Sequence, residues 1–598
     1  MGASTPSAAA RSVARQALPA RRSRAARAIA ARAAIERMHT PSLWLALTVA
    51  VGLTLRLWGL SFGLPQLYCR PDETTLVNKA LSIAAGDPNP HFFNYPSLHL
   101  YSLAVVYGGF FALGWLSGHF AGIEAFQRFF FTDPSAFILI GRAGSAVLGT
   151  VSIGLVYSIG RRLGGVPTGL YSALFLSVAF LHVRDSHFLT VDVPATAYML
   201  AGYVLLLRHL ERRRAVDLYA GALFFGLAAS TKYNVGLLAI SALVTAIATA
   251  GDRRMRWTRL TTVIGITGMA FLAGTPYALL DFSSFWRDLS YERLHFAVGH
   301  GDPVIDLGRG WSYHLRFTLP HGLGWPLLAT AWAGIGVMAW RRRAVDLVLL
   351  SGLLLYYVVA GSGRGVFMRY MLPLVPLLCA AAGLVCALVQ RRWGRPWALL
   401  LAGLLVVPTA STVWQFNHLL SRPDTRLLAA RWIAAEIPDG SPLALHGSAF
   451  GHPQVRRSRE WMQVELEDIR AAGLDGRRLA AMLSLEDFPP PPSYFPIELR
   501  STDALPRRTV WRSYDLERLR AAGVDWIVTH RHPLTGLPAA DDFIRQLEQQ
   551  ATLVQHFDPF KDGWQGLSYD RLDFFYVPVA GFAGLHRTGP EIRLYRLP

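Results

Sequence analysis

The sequence predicts a polytopic α-helical membrane protein that ends in a mixed α/β domain. Three observations carry this. Only 17% of the 598 residues are charged while 52% are hydrophobic, and a bilayer core demands apolar runs of about 20 residues. Such runs recur from residue 43 to residue 414, with short arginine clusters between several of them. Beyond 415 the long runs stop and short helix–turn–strand pieces take over.

The first 40 residues are rich in Ala and Arg, with one acid, Glu36. They lack an apolar segment with a cleavage site, so a disordered basic cytoplasmic tail is expected rather than a transit peptide. Apolar runs follow near 43–63, 98–118, 137–160, 167–181, 193–207, 216–230, 233–250, 260–280, 325–340, 345–360, 370–389 and 397–414. Between them lie Arg161-Arg162, Arg208 with Arg212–Arg214, Arg253-Arg254-Arg256, Arg341–Arg343 and Arg391-Arg392-Arg395. Short basic loops face the cytoplasm, so these clusters belong on one side with the N-terminus. That imposes a parity condition: between residues 64 and 160 the chain crosses an odd number of times. The run 98–118, rich in Tyr, His and Gly and followed by no basic cluster, is the one expected to lie in or dip into the interface. Eleven spans within a membrane module of 41–415 result, with the C-terminus outside.

After residue 415, "DTRLLAARWIAAEIPDGSPLALHG" reads helix, turn, strand, and "DLERLRAAGVDWIVTH" repeats that order. Residues 416–598 are therefore expected to form an extracytoplasmic soluble α/β domain.

The net charge of +19 is almost all arginine, with lysine only at 79, 232 and 561. The arginines sit between apolar runs, which marks them as topology signals rather than a nucleic-acid surface. Three cysteines, Cys69, Cys379 and Cys386, give neither a disulfide framework nor a metal spacing. No phosphate-cradling glycine loop of nucleotide-binding type is present, and no Asp-x-Asp or His/Cys cluster speaks for a metal. No cofactor is expected, and a divalent metal has weak support.

Polar residues converge at the outer ends of the runs. "YCRPDETTLVNKAL" places Asp72 and Glu73 at the start of an amphipathic helix. An acid there complements the helix dipole, yet two adjacent acids in the headgroup region exceed what a cap needs. "HVRDSHFLTVDVP" carries Arg184, Asp185, His187 and Asp192, and ionisable groups at membrane depth are functional candidates by default. For Arg184 and Asp185 a mutual ion pair is the structural alternative. Lys232 in "ASTKYN" stands alone between two runs, either snorkelling or holding a phosphate. Arg369-Tyr370 opens a run after a Gly-rich turn, and a guanidinium forks onto oxyanions.

Together "RPDETTLVNKALSIAAGDPNPHFFNYPSLHLY", "GRAGSAVLGTVSIGLVYSIGRRLGG", "DSHFLTVDVPATAYML", "LAASTKYNVG" and "MRYMLPLVPLLC" resemble the GT-C polyprenyl-phosphate-sugar-dependent glycosyltransferases. These are the membrane enzymes of glycosyltransferase family 39, of protein-mannosyltransferase and aminoarabinose-transferase type. The resemblance spans about residues 44–415, and "DTRLLAARWIAAEIPDGS" looks like bacterial members with an outer domain. It implies transfer of a sugar from a polyprenyl phosphate to an acceptor hydroxyl outside the membrane, with inversion. Asp72 would be the general base, with Glu73 assisting or positioning. Asp192 would contact sugar or acceptor, and Asn94, Tyr95, His187, Tyr233 and Tyr370 fall in the motifs that would line the substrate site. Relatives often carry a Lys-Pro-Pro where this chain has Asn94-Tyr95-Pro96, so Lys232, Arg369 or Arg184 is expected to take the donor phosphate. The acceptor, a protein, lipid or glycan, is left open, and the Arg/Ala-rich, lysine-poor composition suggests a bacterial cytoplasmic membrane. The competing class is a lipid or sugar transporter or flippase. Such proteins gather ionisable groups near the midplane in two related halves, whereas here charges gather at one face.

Overall fold

The computed structural model describes residues 41–300, 305–500, 507–512, 514–535 and 541–598. The expected disordered tail, 1–40, lies outside the described residues.

The first part is a helical bundle with two chemically distinct ends. At one end the arginine clusters meet: Arg162 pairs with Glu211 at 3.2 Å, Arg341 and Arg343 hold Asp346 and reach Leu163 O, and Arg391 Nη2 donates to Gly164 O at 2.7 Å. Arg259 donates to Thr249 O at 2.7 Å and so ties the 253–256 cluster to the same end. At the other end lie the starts of Pro71–Ala84, Ser135–Gly164 and Asp192–Arg212, and the end of Ala215–Ala229. This is the pattern of a membrane bundle, with polar groups at the ends and apolar faces between.

By length and apolarity, five helices among the described residues could cross a membrane, or six if the bent pair Gly310–Leu323 and Trp325–Arg341 is one span. The expected count of eleven is not reached, and the reason is length. Pro41–Leu57, Val166–Val178, Ala215–Ala229, Tyr233–Thr249 and Ala344–Ala360 are apolar but have only 10–17 residues, at most about 26 Å of helix. Conversely Leu98–Leu116, expected at the interface, is long and apolar enough to span. Its anchors nonetheless sit at one end of the bundle. Leu98 N–H donates to Ser230 O at 3.1 Å, and Tyr107 Oη donates to Phe137 O at 3.0 Å. Phe131, beyond this helix, packs on Phe488 of the C-terminal part. The segment leaves and returns at the same end.

The C-terminal part carries a six-stranded sheet: β1 Pro442–His446, β2 Phe495–Leu499, β3 Val510–Trp511, β4 Trp526–Arg531, β5 Thr552–Phe557 and β6 Glu591–Arg596. Its order is β3-β2-β1-β4-β6-β5, parallel from β3 to β4 and antiparallel beyond. The helix–turn–strand readings correspond to Thr425–Glu436 with β1 and Leu516–Ala521 with β4. The chain reverses its direction of travel across the sheet between β1 and β4, where α/β folds usually place ligands. Here the loop after β1 turns to the bundle. Gly447 has φ +103° and a Cβ there would lie 2.6 Å from the His530 ring, so only glycine fits. Gln454 then accepts from Leu67 N–H at 2.7 Å and its own N–H donates to Gln66 Oε1 at 2.9 Å. Buried Arg426 grips Asp424 and donates to Tyr68 O at 3.1 Å and Phe450 O at 2.7 Å, riveting the two parts together. Phe575, Val577, Val579, Phe582 and Leu585 of the C-terminal part enter the main core of the bundle.

Candidate active site at the junction of bundle and C-terminal domain

At the end of the bundle away from the arginine clusters is a cavity of about 700 Å³. Asp72, Asn94, Tyr95, Lys232, Tyr233, Arg369 and Tyr370 line it, together with Glu292, His295 and His300. Phe450, Leu572, Asp573 and Phe574 close it from the C-terminal part.

Asp72 is the second residue of Pro71–Ala84, where proline fits the first turn and an acid faces the positive end of the helix. Its side chain keeps 35% of its surface exposed, and that surface faces the cavity. Arg369 Nη1 donates to Asp72 Oδ2 at 2.7 Å and to Asp573 Oδ1 at 2.9 Å. Arg369 comes from the 3-10 turn Met368–Leu374 that leads into Val375–Trp393. Lys232 forms a hydrogen-bonded ion pair with Asp192 and lies 5.0 Å from the Tyr370 ring centroid. Asn94 Nδ2 donates to Glu292 Oε1 at 2.8 Å, and Tyr233 Oη donates to Phe93 O at 2.9 Å.

Four of the expected residues stand outside the wall. Glu73 is fully buried and faces Arg142, whose Nε and Nη2 donate to its two oxygens at 2.9 and 2.7 Å. Leu189 N–H donates to it as well, at 2.9 Å. Successive helical residues point about 100° apart, so Glu73 cannot face the cavity beside Asp72. Arg184, expected at the donor phosphate, is 1% exposed and committed to Asp573 at 2.7 Å and Asp185 at 3.2 Å; the mutual pair foreseen as its alternative is present. The ring nitrogens of His187 are taken by Val183 O and Trp58 O. Asp192 is buried and reaches the cavity only through Lys232.

The sequence reading missed Arg70, Asp570 and Asp573. Asp573 receives three guanidinium groups: Arg70 at 2.8 Å, Arg184 at 2.7 Å and Arg369 at 2.9 Å. Burial opposes its charge, but the three arginines outweigh burial and hold its carboxyl far below the usual range. Asp570, whose Oδ2 accepts from Met368 N–H at 3.2 Å, is pushed up to about 7 by burial and by the charge of Asp573. The one signal was "YDRLDFF", two acids in an aromatic stretch of a supposedly water-facing domain. Among the described residues no three of His, Cys, Asp and Glu come together as metal ligands would.

Residues 133–277 match the family model described as dolichyl-phosphate-mannose-protein mannosyltransferase. The match covers 145 of the 598 residues, about a quarter of the chain. The matched segment holds Arg142, Asp192 and Lys232, while Asp72, Arg369 and Asp573 lie outside it. No curated protein matches the chain in sequence. Among solved structures, the apo oligosaccharyltransferase of Archaeoglobus fulgidus aligns at 10% identity over 68% of this chain, with TM-score 0.47. The chain spans 62% of that protein's length. ArnT from Cupriavidus metallidurans bound to undecaprenyl phosphate aligns at 16% identity over 86% of this chain and 96% of its own, TM-score 0.49. The Saccharomyces cerevisiae Pmt1–Pmt2 complex bound to the sugar donor aligns at 19% identity over 41% and 34%, TM-score 0.30.

Proposed function

We propose that this protein is a glycosyltransferase that moves a sugar from a polyprenyl-phosphate donor to an acceptor hydroxyl at the extracytoplasmic end of its helical bundle, in a bacterial cytoplasmic membrane. The observation that carries the proposal is a cavity-facing carboxylate, Asp72, in one 700 Å³ cavity with two cations, Arg369 and Lys232. The side follows from the arginine clusters at the opposite end, which the positive-inside rule assigns to the cytoplasm.

In this reading the acceptor oxygen attacks the anomeric carbon while the bond from that carbon to the phosphate oxygen breaks. The electron pair leaves with the phosphate, and the proton passes to Asp72. A phosphate needs no protonation to depart when cations meet its growing charge. Arg369 and Lys232 supply those charges, Arg369 with the N–H groups not held by Asp72 and Asp573. A double displacement with retention requires a second carboxylate as nucleophile. Glu73 is locked to Arg142, and both oxygens of Asp573 are taken by arginines, so neither is placed as that nucleophile, and the proposed reaction is a single displacement with inversion. The acidic Glu292 and the aromatic Tyr95, Tyr233 and Tyr370 offer the acceptor and sugar their contacts.

The test is transfer of radiolabelled sugar from a polyprenyl-phosphate donor by purified full-length protein. Asp72→Asn is expected to lose at least about 100-fold in kcat, the range for removing a general base, while still binding donor. Wild-type turnover in that variant removes Asp72 from the mechanism. Net movement of labelled lipid across a proteoliposome membrane without transfer would favour a flippase.

A further inference from the structure

Residues 569–585 leave the C-terminal sheet and enter the bundle. Leu572 packs with Val366 and Phe367, and Phe575 meets Phe62 and Phe188 with ring centroids 5.7 and 5.0 Å apart. Val577, Val579, Phe582 and Leu585 continue into the main core. Between these apolar anchors, the Asp573 side chain is 1% exposed and faces Arg70, Arg184 and Arg369. A segment anchored on both flanks by buried hydrophobic residues is no removable plug. The carboxylate is a fixed part of the wall, although it stands where an incoming anion would meet the arginines.

The decisive atom is Arg369 Nη1, shared between Asp573 and Asp72. Arg70 Nη2 also lies 4.0 Å from Asp72 Oδ2, while Arg70 Nη1 is drawn to Asp573. Without Asp573, two buried guanidinium groups would have Asp72 as their nearest anion, and charge pairs strengthen sharply in a buried site. A carboxylate gripped by two arginines is a poor base. We infer that Asp573, supplied by the C-terminal domain, is a positioning residue of the transfer site. It shares Arg369 Nη1 with Asp72 and holds Arg70 at 2.8 Å, against 4.0 Å from Arg70 to Asp72, so that only one of the two arginines pairs closely with the carboxylate that takes the acceptor proton, and the rest of the Arg369 guanidinium is left to the donor phosphate. This inference rests on the proposed transfer reaction and adds that the site is complete only when bundle and C-terminal domain are joined.

The experiment compares wild type, Asp573→Asn and Asp573→Glu as full-length proteins in nanodiscs, by steady-state transfer and by binding of undecaprenyl phosphate. In Asp573→Asn one negative charge beside the anion site is gone, so undecaprenyl phosphate should bind a few-fold more tightly than to wild type. Meanwhile kcat should fall about tenfold or more because Asp72 is over-paired. Asp573→Glu keeps the charge and should recover most of that kcat. A merely structural role would lower kcat with the folded fraction and leave binding by the folded protein unchanged, with no recovery in Asp573→Glu; that result overturns the inference. So does weakened binding with unaltered kcat, which would make Asp573 a donor contact. Should wild type bind undecaprenyl phosphate but transfer nothing, the proposed reaction fails, and the binding arm alone then decides: tighter binding by Asp573→Asn supports the charge argument, equal or weaker binding overturns it. Should Asp573→Asn not fold, Asp573→Glu decides: kcat within a few-fold of wild type at unchanged KM supports the inference, and a loss of tenfold or more in the folded protein overturns it.

Discussion

At the scale of single residues, neighbours in sequence have opposite fates. Asp72 and Glu73 are adjacent, yet one faces the cavity and the other is sealed against Arg142. Removing one partner of a buried ion pair costs about 3–5 kcal/mol because the other charge is left unpaired. Arg142→Ala is therefore expected to destabilise the protein strongly, lowering the apparent Tm in detergent, whereas Asp72→Asn should leave Tm nearly unchanged. Equal Tm values for Arg142→Ala and wild type would refute the structural role given to this pair. Asp72, Arg369 and Lys232 were legible in the sequence because a charge next to an apolar run stands out against its surroundings. Glu73 was misplaced because residue type carries no information on helix rotation until the apolar face of Pro71–Ala84 is known to pack inward through Leu76, Val77 and Ala80. Asp573 was illegible for a different reason: its partners lie hundreds of residues away, and only the tertiary fold makes three arginines converge on it.

At the scale of elements, the apolar runs predicted the helices well, but their roles depend on where both ends attach. Leu98–Leu116 has the length and composition of a span, while its flanks are held at the cavity end. A cysteine introduced at exposed Ser117 should react with a membrane-impermeant reagent from the same side as one at Ser421, beyond Arg395–Leu420. The native cysteines are all buried and leave the background low. Labelling of the two positions from opposite sides would overturn the single-ended placement and with it the parity of the bundle. The strands of the C-terminal domain were legible as helix–turn–strand repeats, whereas their order was not. Neither was the use of the β1 and β4 ends as a docking face, since sheet order is set by long-range pairing.

At the scale of the whole molecule, the C-terminal domain and the bundle share a core and a cavity wall, so their stabilities are linked. His446, His452, His530 and His532 are buried near that junction, and burial holds them below the ordinary histidine value, His446 at about 4 and His452 at about 3. They stay neutral in the folded chain while the unfolded chain takes up protons below about pH 6.5. Their contribution is therefore intact above that pH and lost as the pH falls toward 4. Asp570, raised to about 7, and Asp185, raised to about 6 by burial, act in the opposite sense, favouring the folded state as pH falls, but they are two groups against four. Apparent Tm should decline between pH 6.5 and 4.5, and a flat profile would contradict the neutral burial of these histidines. In the proposed reaction Asp72, Arg369 and Lys232 form one site for a lipid phosphate beside a proton acceptor. The most direct measurement is a cryo-EM structure of the full-length protein with undecaprenyl phosphate. The phosphate is expected within hydrogen-bond distance of Arg369 or Lys232, in the cavity that Asp72 faces; a phosphate bound at the arginine-cluster end, or in a cavity Asp72 does not reach, would rule that site out.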